Sequence, residues 1–158
     1  MAIVELRFTA LPEHVRTARL VAAAVARRAG VAESVLDEVR LAVGEACSRA
    51  VGLTRQVGAD EPVTVTLDDG DGRFSIEVRD AVPQPAVVGA GESGGSVGLP
   101  GPSGANGMSL DVAESELGLA VILGLVDELD VRAGADGGSI RMSWPSEKGK
   151  IGDDPLGL

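Results

Sequence analysis

Glu45 and Arg49 lie four residues apart in the stretch VGEACSRAV, from Val43 to Val51. Their neighbours are small and apolar, so the stretch reads as a buried helix carrying one carboxylate and one guanidinium. That spacing places both side chains on one face, with the acid first, the favourable order for an ion pair. Two readings are open: a structural pair, or half of a catalytic site whose other half has changed. Pairing would lower the proton affinity of Glu45 and make it a weaker base. Other versatile side chains are scarce. His14 is the sole histidine and has no metal-ligand spacing around it. Cys47 is the sole cysteine, which excludes an intrachain disulfide and a cysteine metal cluster. It reads as a small core hydrophobe.

The elements that must hold these residues follow from periodicity. IVELRF alternates, with Val4, Leu6 and Phe8 on one face, and predicts a half-buried strand. A helix follows, with Pro12 near its start and Gly30 at its end, and with Val15, Ala18, Val21, Ala22 and Val25 at helical spacing. Arg16, Arg19, Arg27 and Arg28 fall mostly on its other side. A second helix runs from about Val35 to Val51, with Val39, Ala42, Val43, Ala46 and Ala50 facing inward. VTVTL and RFSIEV then alternate around the turn DDGDG, a hairpin. That acidic turn lacks the spaced ligands of a calcium loop and reads as solvated.

From Ala81 to Met108 the chain is rich in Gly, Pro and Ser and has no hydrophobic period. The segment 81–112 reads as a flexible, lid-like loop. A helix over SELGLAVILGLVDEL, a strand near LDVRA, the turn GADGG and a last strand SIRMSW complete the domain, 1–145. The tail 146–158 reads as disordered. Strands arriving in pairs imply an α+β fold, a two-layer α/β sandwich with a mixed, mostly antiparallel sheet and helices on one face.

Composition sets outer limits. A chain of 158 residues, 44% apolar and 24% charged, suits one soluble domain. The net charge of −10 disfavours direct nucleic-acid binding, which depends on Lys and Arg at phosphates. With two Phe, one Trp and no Tyr, stacking platforms for single strands are lacking too. The N-terminus has no signal-peptide layout, and the most apolar run, Leu117 to Val126, is too short to span a bilayer. A cytoplasmic protein with no membrane contact is the expectation.

The element order and the helix carrying EACSRA resemble the histidine-kinase-like ATPase (Bergerat) fold. Within it, the likeness is to the bacterial anti-sigma regulatory factors that double as serine-protein kinases, over about residues 3 to 145. Three signature boxes can be placed, and each is altered. The family's second helix reads roughly E-A-x-x-N-A, with Glu as the base and Asn on the magnesium of Mg·ATP. Here Glu45 holds the Glu position and Arg49 the Asn position. A guanidinium has no acceptor and repels Mg²⁺, so the resemblance implies an ion pair in place of a working catalytic pair.

The second box, Asp-x-Gly-x-Gly, has Asp reading the adenine amino group. The chain has DAVPQP, with Asp80 in place and Val82 for the first Gly. Asp80 could accept an adenine hydrogen bond or simply cap a strand end. The third box, Gly-x-Gly-Leu, opens a helix whose amides meet the phosphates. Gly118 and Leu119 match, while Glu116 stands for a Gly and Glu114 lies upstream. Two carboxylates at a helix start would repel a triphosphate.

The resemblance thus implies an anti-sigma-like regulator working by protein–protein binding in a partner-switching network. Its partners would be a sigma factor, a STAS-type anti-anti-sigma protein, or both. Nucleotide binding would be weak or lost, with no cofactor. By the same likeness Arg16, Arg19 and His14 are candidates for partner contact, and a homodimer through the first strand is compatible. The Arg residues could equally solvate a helix face. The alternative is an active ATP-dependent kinase of an anti-anti-sigma factor, using Mg·ATP with Glu45, Asp80 and Gly118. A third reading, an α/β domain unrelated to sigma control, stays open.

Overall fold

The computed structural model describes residues 2–84, 87–92 and 110–147. β1 (Ala2–Phe8) leads into α1 (Pro12–Ala29). Pro12 occupies the first turn of α1, where its missing N–H costs nothing, and Gly30 ends the helix at φ 86°. After a short 3₁₀ turn at Glu33–Val35 comes α2 (Leu36–Gln56). The hairpin of β2 (Val63–Gly70) and β3 (Arg73–Asp80) turns through Asp71 and Gly72, both at positive φ. That is what a two-residue hairpin turn matched to strand twist requires. β4 (Val87–Glu92), α3 (Leu110–Leu125), β5 (Glu128–Gly134) and β6 (Gly137–Pro145) follow.

The six strands order as β1-β2-β3-β6-β5-β4, and every neighbouring pair is antiparallel. The helices pack on one face, with α2 beside both α1 and α3 and over β3. The two-layer α+β sandwich is therefore present. Its inner sheet face carries Val65 and Leu67 from β2, Phe74, Ile76 and Val78 from β3, and Ile140, Met142 and Trp144 from β6. Alanines of α1 and α2 (Ala18, Ala22, Ala26, Ala42, Ala46) are fully or almost fully buried, so small side chains let the helices approach closely. Trp144 closes the end of the core, its ring stacked on Phe74 and its Nε1 donating to the Leu125 carbonyl at 3.0 Å.

Three readings of the sequence need correction. β4 lies within 81–112 and pairs with β5, so this part of the segment is strand; residues 85–86 and 93–109 lie outside the described residues. VVGAGE has no alternation to reveal it, and its backbone pairing makes the strand. α3 starts at Leu110, earlier than expected, because LDVAESEL contains helix formers and no breaker. Ser146 and Glu147 belong to the ordered domain rather than to a disordered tail. The Ser146 hydroxyl donates to the Ala29 carbonyl, and the backbone amides of Ser146 and Glu147 donate to the carbonyls of Gly72 and Gly30. Among the described residues, no helix is long and apolar enough to cross a membrane.

Candidate functional site

The site candidates lie on α2, β3 and α3, and α2 packs against both of the other elements. Asp80 is the last residue of β3 and stands on its inner face, in step with Phe74, Ile76 and Val78. A carboxylate on a core-facing position is costly unless its oxygens find donors. Asp80 Oδ1 finds three: the Val82 amide at 2.9 Å, the Gly138 amide at 3.3 Å and the Gln84 side-chain nitrogen at 3.4 Å. The bond to Val82, two residues on, is a side-chain turn that ends the strand. Asp80 therefore does act as a strand-end cap, one of the two roles its sequence context allowed. Burial pushes its proton affinity up, while these donors and the positive charge of Arg49 oppose the rise.

Glu45 and Arg49 part company in the structure. They are not within ion-pair distance of each other, so the expected pair on α2 is absent. Glu45, half-buried, leans toward α3, where a Cβ at Gly118 would lie 3.3 Å from its Oε2. Arg49, half-buried, turns toward Asp80, whose charge it feels. Its Nε is buried and has no hydrogen-bond partner among the described residues. Desolvation accordingly lowers the proton affinity of this guanidinium, and Asp80 holds it up. The separation follows from helix geometry: four residues exceed one turn by about 40°, enough to aim the two at different elements.

Gly118 is buried on α3 and Leu119 is half-buried beside the core. Glu114 and Glu116 sit inside α3 rather than at its N-terminus, because the helix begins at Leu110. They are therefore not at the helix start, where the macrodipole would act on them most strongly. The side chains of both lie outside the described residues. Val82, in the position of the second box's first glycine, is 4% exposed and fills space there.

The sequence did not single out Gln84, Gly137 and Gly138, which complete the Asp80 environment. Gly137 has φ 122°, and a Cβ on it would come within 2.1 Å of the Asp80 carbonyl oxygen. The double glycine of GADGG was the available signal. It marks a turn and also a close backbone approach.

The partner candidates on α1 behave differently from one another. Arg16 is exposed with no ion pair among the described residues. Arg19 lies across α2, its Nε 2.4 Å from where a Gly44 Cβ would stand, close enough to act on the buried Cys47 thiol. His14 is half-buried against Phe8, ring centroids 6.0 Å apart. Cys47 is fully buried, and desolvation pushes its pKa up to about 12, with Arg19 opposing.

Among protein families, the histidine kinase-like ATPase domain matches residues 8–144. The chain belongs to this family. A comparison with curated proteins found no match. In a histidine kinase-like ATPase domain the implied ligand is a nucleotide with its metal. Arg49 supplies donors and no acceptor, so it cannot ligate Mg²⁺. Asp80 has one oxygen engaged by three donors. Among the described residues, no group of three or more His, Cys, Asp or Glu side chains is gathered as a metal site. These residues do not fit a magnesium ion held at Arg49.

Proposed function

We propose that this histidine kinase-like ATPase domain is an anti-sigma-like regulator that acts by protein–protein binding, with Mg·ATP binding weak or lost. One observation carries the reading. Arg49 occupies the position where, by resemblance, the family places a magnesium ligand, and its charge acts on the buried Asp80 carboxylate. The partners in this reading are a sigma factor, a STAS-type anti-anti-sigma protein, or both. Arg16 and Arg19 on α1 are the proposed contacts, since Arg suits bidentate pairing with an acidic partner. The exposed sheet edge at β1 leaves room for a homodimer.

Isothermal titration with Mg·ATP tests the nucleotide half of the proposal. The expected result is no saturable heat in the micromolar range. Micromolar binding sinks it. Mixing the chain with candidate sigma and STAS proteins and following complex formation by size exclusion tests the other half.

One observation favours a second reading, a working serine-protein kinase. Glu45 is not neutralised by Arg49, and a free carboxylate is what a general base requires. Labelled ATP, magnesium and a STAS partner separate the two. Phosphate transfer that disappears in Glu45→Gln supports the kinase, and its absence in the unaltered chain supports the regulator.

A further inference from the structure

On the sheet face turned away from the helices, strand register aligns Asp68, Ser75, Ser143 and Glu128 across β2, β3, β6 and β5. A cavity of about 240 Å³ opens over this row, with Arg73 and Arg141 also in its wall. Two atoms of that wall are buried without a hydrogen-bond partner among the described residues: Asp68 Oδ1, an acceptor, and Arg73 Nε, a donor. Buried polar atoms are almost always satisfied, so an orphaned acceptor and donor in one cavity call for an explanation.

The neighbouring groups are already engaged. One terminal nitrogen of Arg73 donates to Asp127 at 2.7 Å and to the Ser143 hydroxyl at 3.1 Å. That hydroxyl, on a residue 7% exposed, donates in turn to Glu128 at 3.3 Å. The network fixes the Arg73 guanidinium and leaves its Nε–H unused. Arg141 has no ion pair among the described residues, because its cross-strand neighbours Glu77 and Asp130 pair with Arg79 and Arg132. Asp68 and Arg73 are diagonal neighbours on β2 and β3, a placement that separates Cα atoms by about 7–8 Å. That spacing is within reach of a long side chain, yet no hydrogen bond joins these two atoms.

We infer that this cavity binds a small zwitterion of the α-amino acid class. The ammonium donates to Asp68, and the carboxylate accepts from Arg73 Nε and Arg141. Both signs of charge are needed, because a simple cation leaves the Arg73 donor unpaired and a simple anion leaves Asp68 unpaired. The site lies on the sheet face opposite Asp80 and does not depend on what the helix side binds.

Amide chemical shifts of the full chain, followed during titration with free amino acids, test the inference. Methylamine and acetate serve as the two half-ligands. The expected result is saturable shifts at Asp68, Arg73, Ser75 and Ser143, in a range near ~1 mM. Each half-ligand should bind at least about tenfold more weakly, as should the amino acid to Asp68→Asn. Arg141 is exposed, so Arg141→Gln gives a folded second variant, with a similar loss expected. Three outcomes overturn the inference. They are no saturable shift, which leaves a solvated cavity only, a half-ligand binding as well as the amino acid, and unchanged affinity in both variants.

Discussion

Arg49 of α2 and Asp80 of β3 are charge partners, each favouring the charged form of the other against the cost of burial. No described hydrogen bond joins them. Their coupling is through space, in a region where desolvation lets charges act strongly. The arrangement ties the middle helix to the last inner position of β3, at the point where the strand turns away.

Removing the cation reads out this coupling. Arg49→Met takes away an influence that lowers the proton affinity of Asp80, so the carboxyl should titrate at higher pH than in the unaltered chain. A carbon-detected titration of the Asp80 carboxyl measures it directly. A shift to lower pH, or none, would show that Arg49 does not act on Asp80.

Asp80 also holds the backbone. Asp80→Ala strands the Val82 and Gly138 amides, each a buried donor, and should cost about 1–3 kcal/mol in urea denaturation. Asp80→Asn keeps an acceptor oxygen and should cost less. The two differ in pH dependence as well. Because Asp80 binds its proton more tightly when folded, its contribution to stability is full below the unfolded value near 3.8 and is lost as pH rises through the raised folded value. The Asn variant has no such loss. Its stability relative to the unaltered chain should therefore improve from pH 4 toward neutrality, and a constant difference would contradict the assignment.

Local signals in the sequence were enough for β1, α1, α2 and both tight turns, because alternation, helical spacing and the DDGDG and GADGG turn chemistry are properties of short segments. β4 was not legible, since VVGAGE has no period and exists through pairing with β5. The candidate site was half legible. Glu45 approaches Gly118 of α3, and Asp80 feels the charge of Arg49. The partner of Arg49 was misread, because helical spacing offered Glu45 while the rotation between them aims Arg49 at β3. That choice is tertiary, and no window of α2 contains it. The start of α3 was misplaced for a different reason: the residues before Ser115 have no hydrophobic period, although they favour helix.

The approach of β6 to the end of β3 predicts a sharp contrast between two glycines. Gly137 has φ 122°, and a Cβ there would meet the Asp80 carbonyl, a backbone atom with nowhere to go. Gly137→Ala should lose at least about 2 kcal/mol, and Asp80 should lose its Gly138 contact with it. Gly124 is exposed on α3 with nothing within 4 Å of its Cβ position, so Gly124→Ala should gain up to about 1 kcal/mol. Chemical denaturation of both variants decides. Equal effects would mean that the tight turn does not depend on glycine.

Cys47 provides the last test, of the α1–α2 seam. A thiol titrating near 12 is ionised to only about one part in ten thousand at pH 8, and the thiolate is the reactive form. Disulfide reagents should therefore label the native chain orders of magnitude more slowly than the denatured one. The thiol also makes a pH prediction. Its folded proton affinity is raised from 9.0 to about 12, so its contribution to stability is full below 9.0 and is lost as pH climbs toward 12. Cys47→Ala removes a small buried side chain at a cost of about 1 kcal/mol and removes this alkaline loss. If the variant weakens between pH 9 and 12 as steeply as the unaltered chain, a group other than Cys47 is responsible for the alkaline loss.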